Sequence, residues 1–147
     1  MTVCRQGARC GIFGEMERLP GHQVLRADAL FDAVMGVLLL LAPSHKIFDA
    51  LDLPVAQPEI FTQVAGVFAI AFAILLWEAP THAVLERAIG RAACIANALG
   101  VLVIPLWLVS GELDIDLRGK VTFWVITAIL ALFTLGEARY FQPPAAG

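Results

Sequence analysis

Charge is scarce in this chain, and cysteine is scarcer. Of 147 residues, 16% are Asp, Glu, Lys or Arg, against about 25% in an average soluble domain. Three cysteines are too few for a secreted scaffold built on disulfides. Basic excess is missing too: ten Lys and Arg face thirteen Asp and Glu, for a net charge of −3, which excludes an electrostatic binder of nucleic acid. There is no Gly-rich phosphate loop, G-x-S-x-G or Cys/His pair, and His22, His45, His82, Cys4 and Cys10 lack metal-ligand spacing. Neither a cofactor nor a metal is expected, and an enzyme with a familiar catalytic motif is not. What abounds is apolar side chain, 59% of the chain at a mean hydropathy of +0.79. That excludes disorder and places a single domain in a lipid bilayer.

Charge-free runs locate the membrane. Ile60 to Trp77 gives 18 residues, Ala92 to Gly111 gives 20 and Val121 to Gly136 gives 16. A helix crossing a hydrocarbon core of about 30 Å needs roughly 20. The first candidate, Ala33 to Ser44, offers only 12. Its helix therefore begins upstream, near Pro20 and Gly21, and carries Asp28 and Asp32 into the bilayer before Pro43 stops it. The fold expected is all-α, an integral membrane four-helix bundle with spans at about 23–43, 60–79, 86–109 and 119–140 in a domain covering 23–141. A cytoplasmic N-terminal tail (1–22) precedes it and a C-terminal tail (142–147) follows. Residues 1–15 show no periodicity, and Met16 offers a second start. The first span reads as a retained anchor, because two aspartates interrupt it and Pro43 sits where a cleavage site would need small residues. Pro105 is expected to kink the outer end of the third span.

Basic residues set the orientation. Arg5, Arg9, Arg18, Arg26, Arg87, Arg91 and Arg139 fall on one side, Lys46, Arg118 and Lys120 on the other. Seven against three puts both termini in the cytoplasm, with Trp107 and Trp124 at the outer boundary and Trp77, Tyr140 and Phe141 at the inner one.

The ionisable residues inside the bilayer carry the functional reading. Asp32 lies about 15 Å from the outer end of its span, on a face of small residues with Ala29, Ala33 and Gly36. Asn97 lies at similar depth in the third span, among Gly90, Ala93, Ala96 and Gly100. Six residues separate Arg26 from Asp32 and Arg91 from Asn97, an offset of 65 that suggests two helical hairpins in the same orientation. Asp32 and Asn97 would then meet on the bundle axis, a protonated Asp32 donating to the Asn97 amide oxygen. Such a pair serves either as a proton or ligand site or as a clamp between helices. A second cluster lies at the cytoplasmic boundary: Arg26, Asp28, Glu78, Glu86, Arg87, Arg91, Glu137 and Arg139. Arg91 is expected to pair with Asp28 or Asp32. The cluster is either ordinary interfacial pairing or a shallow pocket for an anionic group. The stripe Gln63, Gly66, Ala69 and Ala73 reads as packing, as do Thr127, Ala131 and Thr134, whose hydroxyls would bond backbone carbonyls.

The run from Asp32 through Gly36 and the leucines to Pro43-Ser44 resembles the start of small bacterial four-span proteins of the DoxX-like and SPW-repeat families. The likeness covers mainly the first hairpin, and the third span repeats it through Asn97, Gly100 and Pro105. Ser44 stands where SPW repeats carry Trp. The resemblance implies a four-helix bundle in a bacterial inner membrane and, by analogy with DoxX-like proteins, a respiratory accessory working beside a quinone. The leading expectation is an accessory or interaction subunit, with the lipid bilayer and a membrane-protein partner or second copy around it. The alternative is a carrier of protons or a small lipophilic solute that uses Asp32 with Asn97 and Arg91.

Overall fold

The computed structural model describes residues 21–42, 46–54, 59–111 and 115–141. The tails expected at 1–22 and 142–147 lie outside these residues, apart from Gly21 and His22. The described residues are helical, with no strand among them. Helix α1 covers Gly21–Leu40 and the short α2 covers Lys46–Leu51. Helix α3 covers Ile60–Glu78 and runs on into a 3-10 turn, Ala79–Thr81. Helix α4 covers Ala83–Ser110, and α5 covers Leu117–Glu137, followed by a 3-10 turn, Ala138–Phe141.

Three segments are long and apolar enough to cross a membrane: Ile60–Thr81, Val84–Ser110 and Leu117–Tyr140. Helix α1 has the length, since 20 residues rise about 30 Å. It carries Arg26, Asp28 and Asp32 where the other three have apolar residues. Pro105 does not end α4, which continues to Ser110 and stops at Gly111. That glycine sits at φ +74, the left-handed conformation that closes many helices. At the start of α5, Asp116 accepts hydrogen bonds from the backbone N–H groups of Arg118 (2.6 Å) and Gly119 (3.1 Å).

Packing follows the glycines. Where α1 crosses α3, a Cβ on Gly36 would lie 2.9 Å from the Gly66 carbonyl, and one on Gly66 would lie 2.8 Å from the Gly36 carbonyl. Only hydrogens let these backbones approach so closely. The small-residue faces of α1 and α3 therefore pack on each other. Further along, Ala29 and Leu30 line one groove with Ala73 and Trp77, so the two helices run antiparallel. Helices α4 and α5 form a second antiparallel pair, with Gly100 on Leu130, the Cys94 thiol donating to the Thr134 carbonyl and Gly90 under Tyr140. The pairs join where Phe31 meets Phe133, ring centroids 5.8 Å apart, and Val24 covers Gly136. Helices α1 and α4 both run against α5 and so share a direction. This pairing puts Trp107 and Trp124 at one end of the helices and Trp77 and Tyr140 at the other.

The core is small. Leu25, Ala29, Leu76, Ala79 and Ala93 are buried together, with Phe72, Ile89 and Tyr140 packed against them. Outward faces are apolar instead, as at Phe68 (70% exposed), Leu102 (68%) and Leu106 (69%). A soluble domain hides such side chains; a lipid-facing helix displays them. The chain is a membrane-type protein by this measure as well as by its helix lengths.

Candidate functional site

A buried polar cluster lies within these helices, towards the Tyr140 end. The Asn97 side-chain amide donates to Asp28 Oδ2 at 3.0 Å and to Glu137 Oε2 at 3.1 Å. Asp28 and Glu137 are fully buried and Asn97 is 7% exposed. Three helices thus each contribute one side chain, and α4 brings the donor that both acids share. The second oxygens, Asp28 Oδ1 and Glu137 Oε1, are buried without a hydrogen-bond partner. Arranged this way, two carboxyls with unfilled acceptor capacity can hold a proton or grip a small cationic or hydrogen-bond-donating group.

The expected partner of Asn97 was Asp32, and the structure corrects this by one helical turn. Asp32 is half-buried, four residues beyond Asp28 on the same face of α1. The 65-residue offset rested on matching Arg26 to Arg91 and on depths counted from the far helix ends. Helix α4 has 28 residues and α1 has 20, so those ends are poor markers of register. The packed register is 69: Asn97 meets Asp28, and Tyr140 packs on both Gly90 and Gly21 (97 − 28 and 90 − 21).

The boundary cluster divides. Glu137 and Asp28 turn inward to Asn97. Arg91, expected to pair with one of the aspartates, donates from Nε to the Tyr140 carbonyl at 2.9 Å. The Tyr140 hydroxyl donates to Glu86 Oε1 at 3.2 Å, and the Arg139 guanidinium stands 5.4 Å from the Tyr140 ring centroid. Arg26 lies 5.4 Å over the Trp77 ring. Glu78 is exposed and Arg87 is half-buried. Glu137 was legible only as a boundary charge. The missed signal is its position on α5: Thr127, Leu130, Thr134 and Glu137 follow helical spacing, so the acid continues an inward-facing polar stripe. Thr127 and Thr134 donate to the carbonyls of Phe123 and Leu130, both at 2.8 Å.

At the Trp124 end, α1, α2, α3 and α5 enclose a cavity of about 330 Å³, lined by Leu39, Phe48, Phe61, Thr62, Phe123 and Ile126 among others. Among the described residues, no three His, Cys, Asp or Glu side chains are grouped to hold a metal ion. No protein-family model, curated protein or solved structure matches the chain.

Proposed function

We propose that α1 is a fourth membrane span, making a four-helix bundle, and that the protein carries protons through an exchange site formed by Asp28, Asn97 and Glu137. The carrying observation is the single Asn97 nitrogen shared by two fully buried acids. Two carboxylates held 3.0 and 3.1 Å from the same nitrogen in a buried site repel each other when both are ionised. Protonating one carboxyl removes that repulsion, and the unpartnered oxygens of Asp28 and Glu137 offer the proton a place. Asp32, one turn further along α1, is the next acceptor towards the opposite face. Burial of Asp28 and the stacking of Arg26 on Trp77 both lessen the cost of taking α1 into lipid. With both termini cytoplasmic, as the basic residues favour, the site lies nearer the inner face of the membrane.

The test is proton flux into vesicles containing the purified protein and a pH-sensitive dye, driven by a potassium diffusion potential. The wild-type chain is expected to acidify the lumen. The double variant Asp28→Asn, Glu137→Gln keeps polar groups of the same shape and is expected to lose at least tenfold in rate. Equal rates in the two proteins, with helicity unchanged, would discard the reading.

A second reading, an accessory subunit or homo-oligomer, is supported by one face of α4. Ala88, Ala92 and Ala96 repeat every four residues, and all three are exposed. In lipid, such small-residue ladders are where a neighbouring helix fits closely. Ala92→Leu is expected to weaken any association seen by crosslinking in native membranes; a strictly monomeric wild type overturns this reading.

A further inference from the structure

Among the described residues, the Tyr140 side chain stands between the near ends of α1 and α4 and the buried acids. Tyr140 lies three residues beyond Glu137, in the 3-10 turn that ends α5. Its ring rests on Gly90 so closely that a Cβ there would lie 2.7 Å from Cδ2 and 2.8 Å from Cγ. The hydroxyl meets Gly21 at the start of α1, where a Cβ would collide with it. Gly21 precedes Asp28 by seven residues and Gly90 precedes Asn97 by seven, about two helical turns in each case. One aromatic ring thus bridges α1 and α4 at the same level, about two turns from Asp28 and Asn97. Beneath it, Leu25 and Ala93 are fully buried and complete an apolar layer.

The turn is held from both sides. Glu86 accepts the phenolic hydrogen at 3.2 Å, and Arg91 holds the Tyr140 carbonyl at 2.9 Å. Both anchors stand on α4, Glu86 one turn before Gly90 and Arg91 directly after it. The glycines at 21 and 90 make room for the ring, and the charged pair fixes it there.

We propose that Tyr140 is the closure of the acid site: it seals the near end of the helices against water, and its displacement opens Asp28 and Glu137 to the aqueous phase. The inference rests on reading Asp28, Asn97 and Glu137 as an exchange site, and it adds the side from which that site is reached. The closing element is a side chain set by packing, with Glu86 and Arg91 as the positioning residues that hold it shut.

Cys94 is a native reporter of this closure. It is 7% exposed, its thiol is bonded to the Thr134 carbonyl, and it stands one turn from Asn97. The experiment measures the rate at which N-ethylmaleimide labels Cys94 in the purified full chain, on a Cys4→Ser, Cys10→Ser background. Labelling is expected to be slow in that background and to rise only modestly in Tyr140→Phe, which keeps the ring but loses the Glu86 contact. It should rise at least tenfold in Tyr140→Ala and several-fold in Gly90→Ala, whose Cβ pushes the ring aside. Unchanged labelling in Tyr140→Ala, with helicity and thermal unfolding retained, overturns the proposal. Should Tyr140→Ala fail to fold, wild-type labelling in Gly90→Ala overturns it. Labelling reads closure whether or not protons move, so a chain silent in the flux assay but with Tyr140-dependent labelling keeps the closure and loses only the exchange reading.

Discussion

The amide nitrogen of Asn97 lies 3.0 Å from a carboxylate oxygen of Asp28, 69 positions earlier in the chain. The same nitrogen reaches Glu137, 40 positions later. One neutral side chain therefore serves as donor to two acids that water does not touch, and it is the residue on which their burial depends.

Replacing Asn97 by Leu removes that shared donor and leaves both carboxyls without it. The expected cost is roughly 2–4 kcal/mol, the range for stranding buried polar groups. A thermal or denaturant unfolding curve in mild detergent measures it. Stability equal to wild type would mean that water or another group already satisfies the two acids.

Asp32→Asn is expected to behave differently. Asp32 is half-buried and lies one turn from the Asn97 contact, so its loss leaves the Asp28–Asn97–Glu137 geometry in place. Unfolding should shift little, while proton flux falls if Asp32 is the next acceptor. A large drop in stability instead would place Asp32 within the cluster.

Gly36→Leu addresses the first helix pair. Its side chain would be driven into the Gly66 backbone and Ile70, both already closer than ordinary contact to a bare Cβ. Overpacking of this kind costs about 1–3 kcal/mol or more where backbone must move. The expected result is separation of α1 from α3, read as loss of a disulfide engineered between the two helices. Efficient crosslinking in the variant would show that the helices do not depend on this glycine contact.

Asp116 links stability to pH outside the membrane. The Gly119 N–H, and after it the Arg118 side chain and backbone N–H, favour its ionised form and hold its pKa below the ordinary carboxylate range, against a smaller opposing desolvation. A depressed folded pKa contributes stability that is present above the unfolded value and lost as pH falls through the folded one. The first turn of α5 should therefore stay protected at neutral pH and through mild acid, opening only in stronger acid. Hydrogen exchange at the Arg118 and Gly119 amides checks this. Asp116→Ala should expose both amides at all pH values, whereas Asp116→Asn should keep the cap and lose the pH dependence.

Much of the architecture was readable from local pattern. The charge-free runs at 60–77 and 121–136, and that at 92–111 up to Ser110, lie within helices long and apolar enough to cross a membrane. Hydropathy did not mark two local devices, the left-handed turn at Gly111 that ends α4 and the Asp116 cap that starts α5. The hydroxyls of Thr127 and Thr134 bond carbonyls four residues back, as side chains of that type in a helix do. Pro105 lies inside α4, which continues past it to Ser110, in keeping with a third span drawn to about 109.

The site was half legible. Asn97 and Asp28 were both singled out, but Asn97 was paired with Asp32, and Glu137 was read as an interfacial charge. Composition and hydropathy, by themselves, determined that this chain forms long apolar helices carrying a few ionisable residues. Only the tertiary structure decided which of those residues meet. Register between helices far apart in the chain depends on side-chain volume at a few crossings: Gly36 on Gly66, and Tyr140 against Gly21 and Gly90. Those crossings set the offset between α1 and α4 at 69, and a slip of four residues exchanges Asp32 for Asp28. Helical periodicity repeats nearly unchanged every turn and cannot distinguish the two registers; the Tyr140 ring, which fits only where both glycines lie opposite it, can.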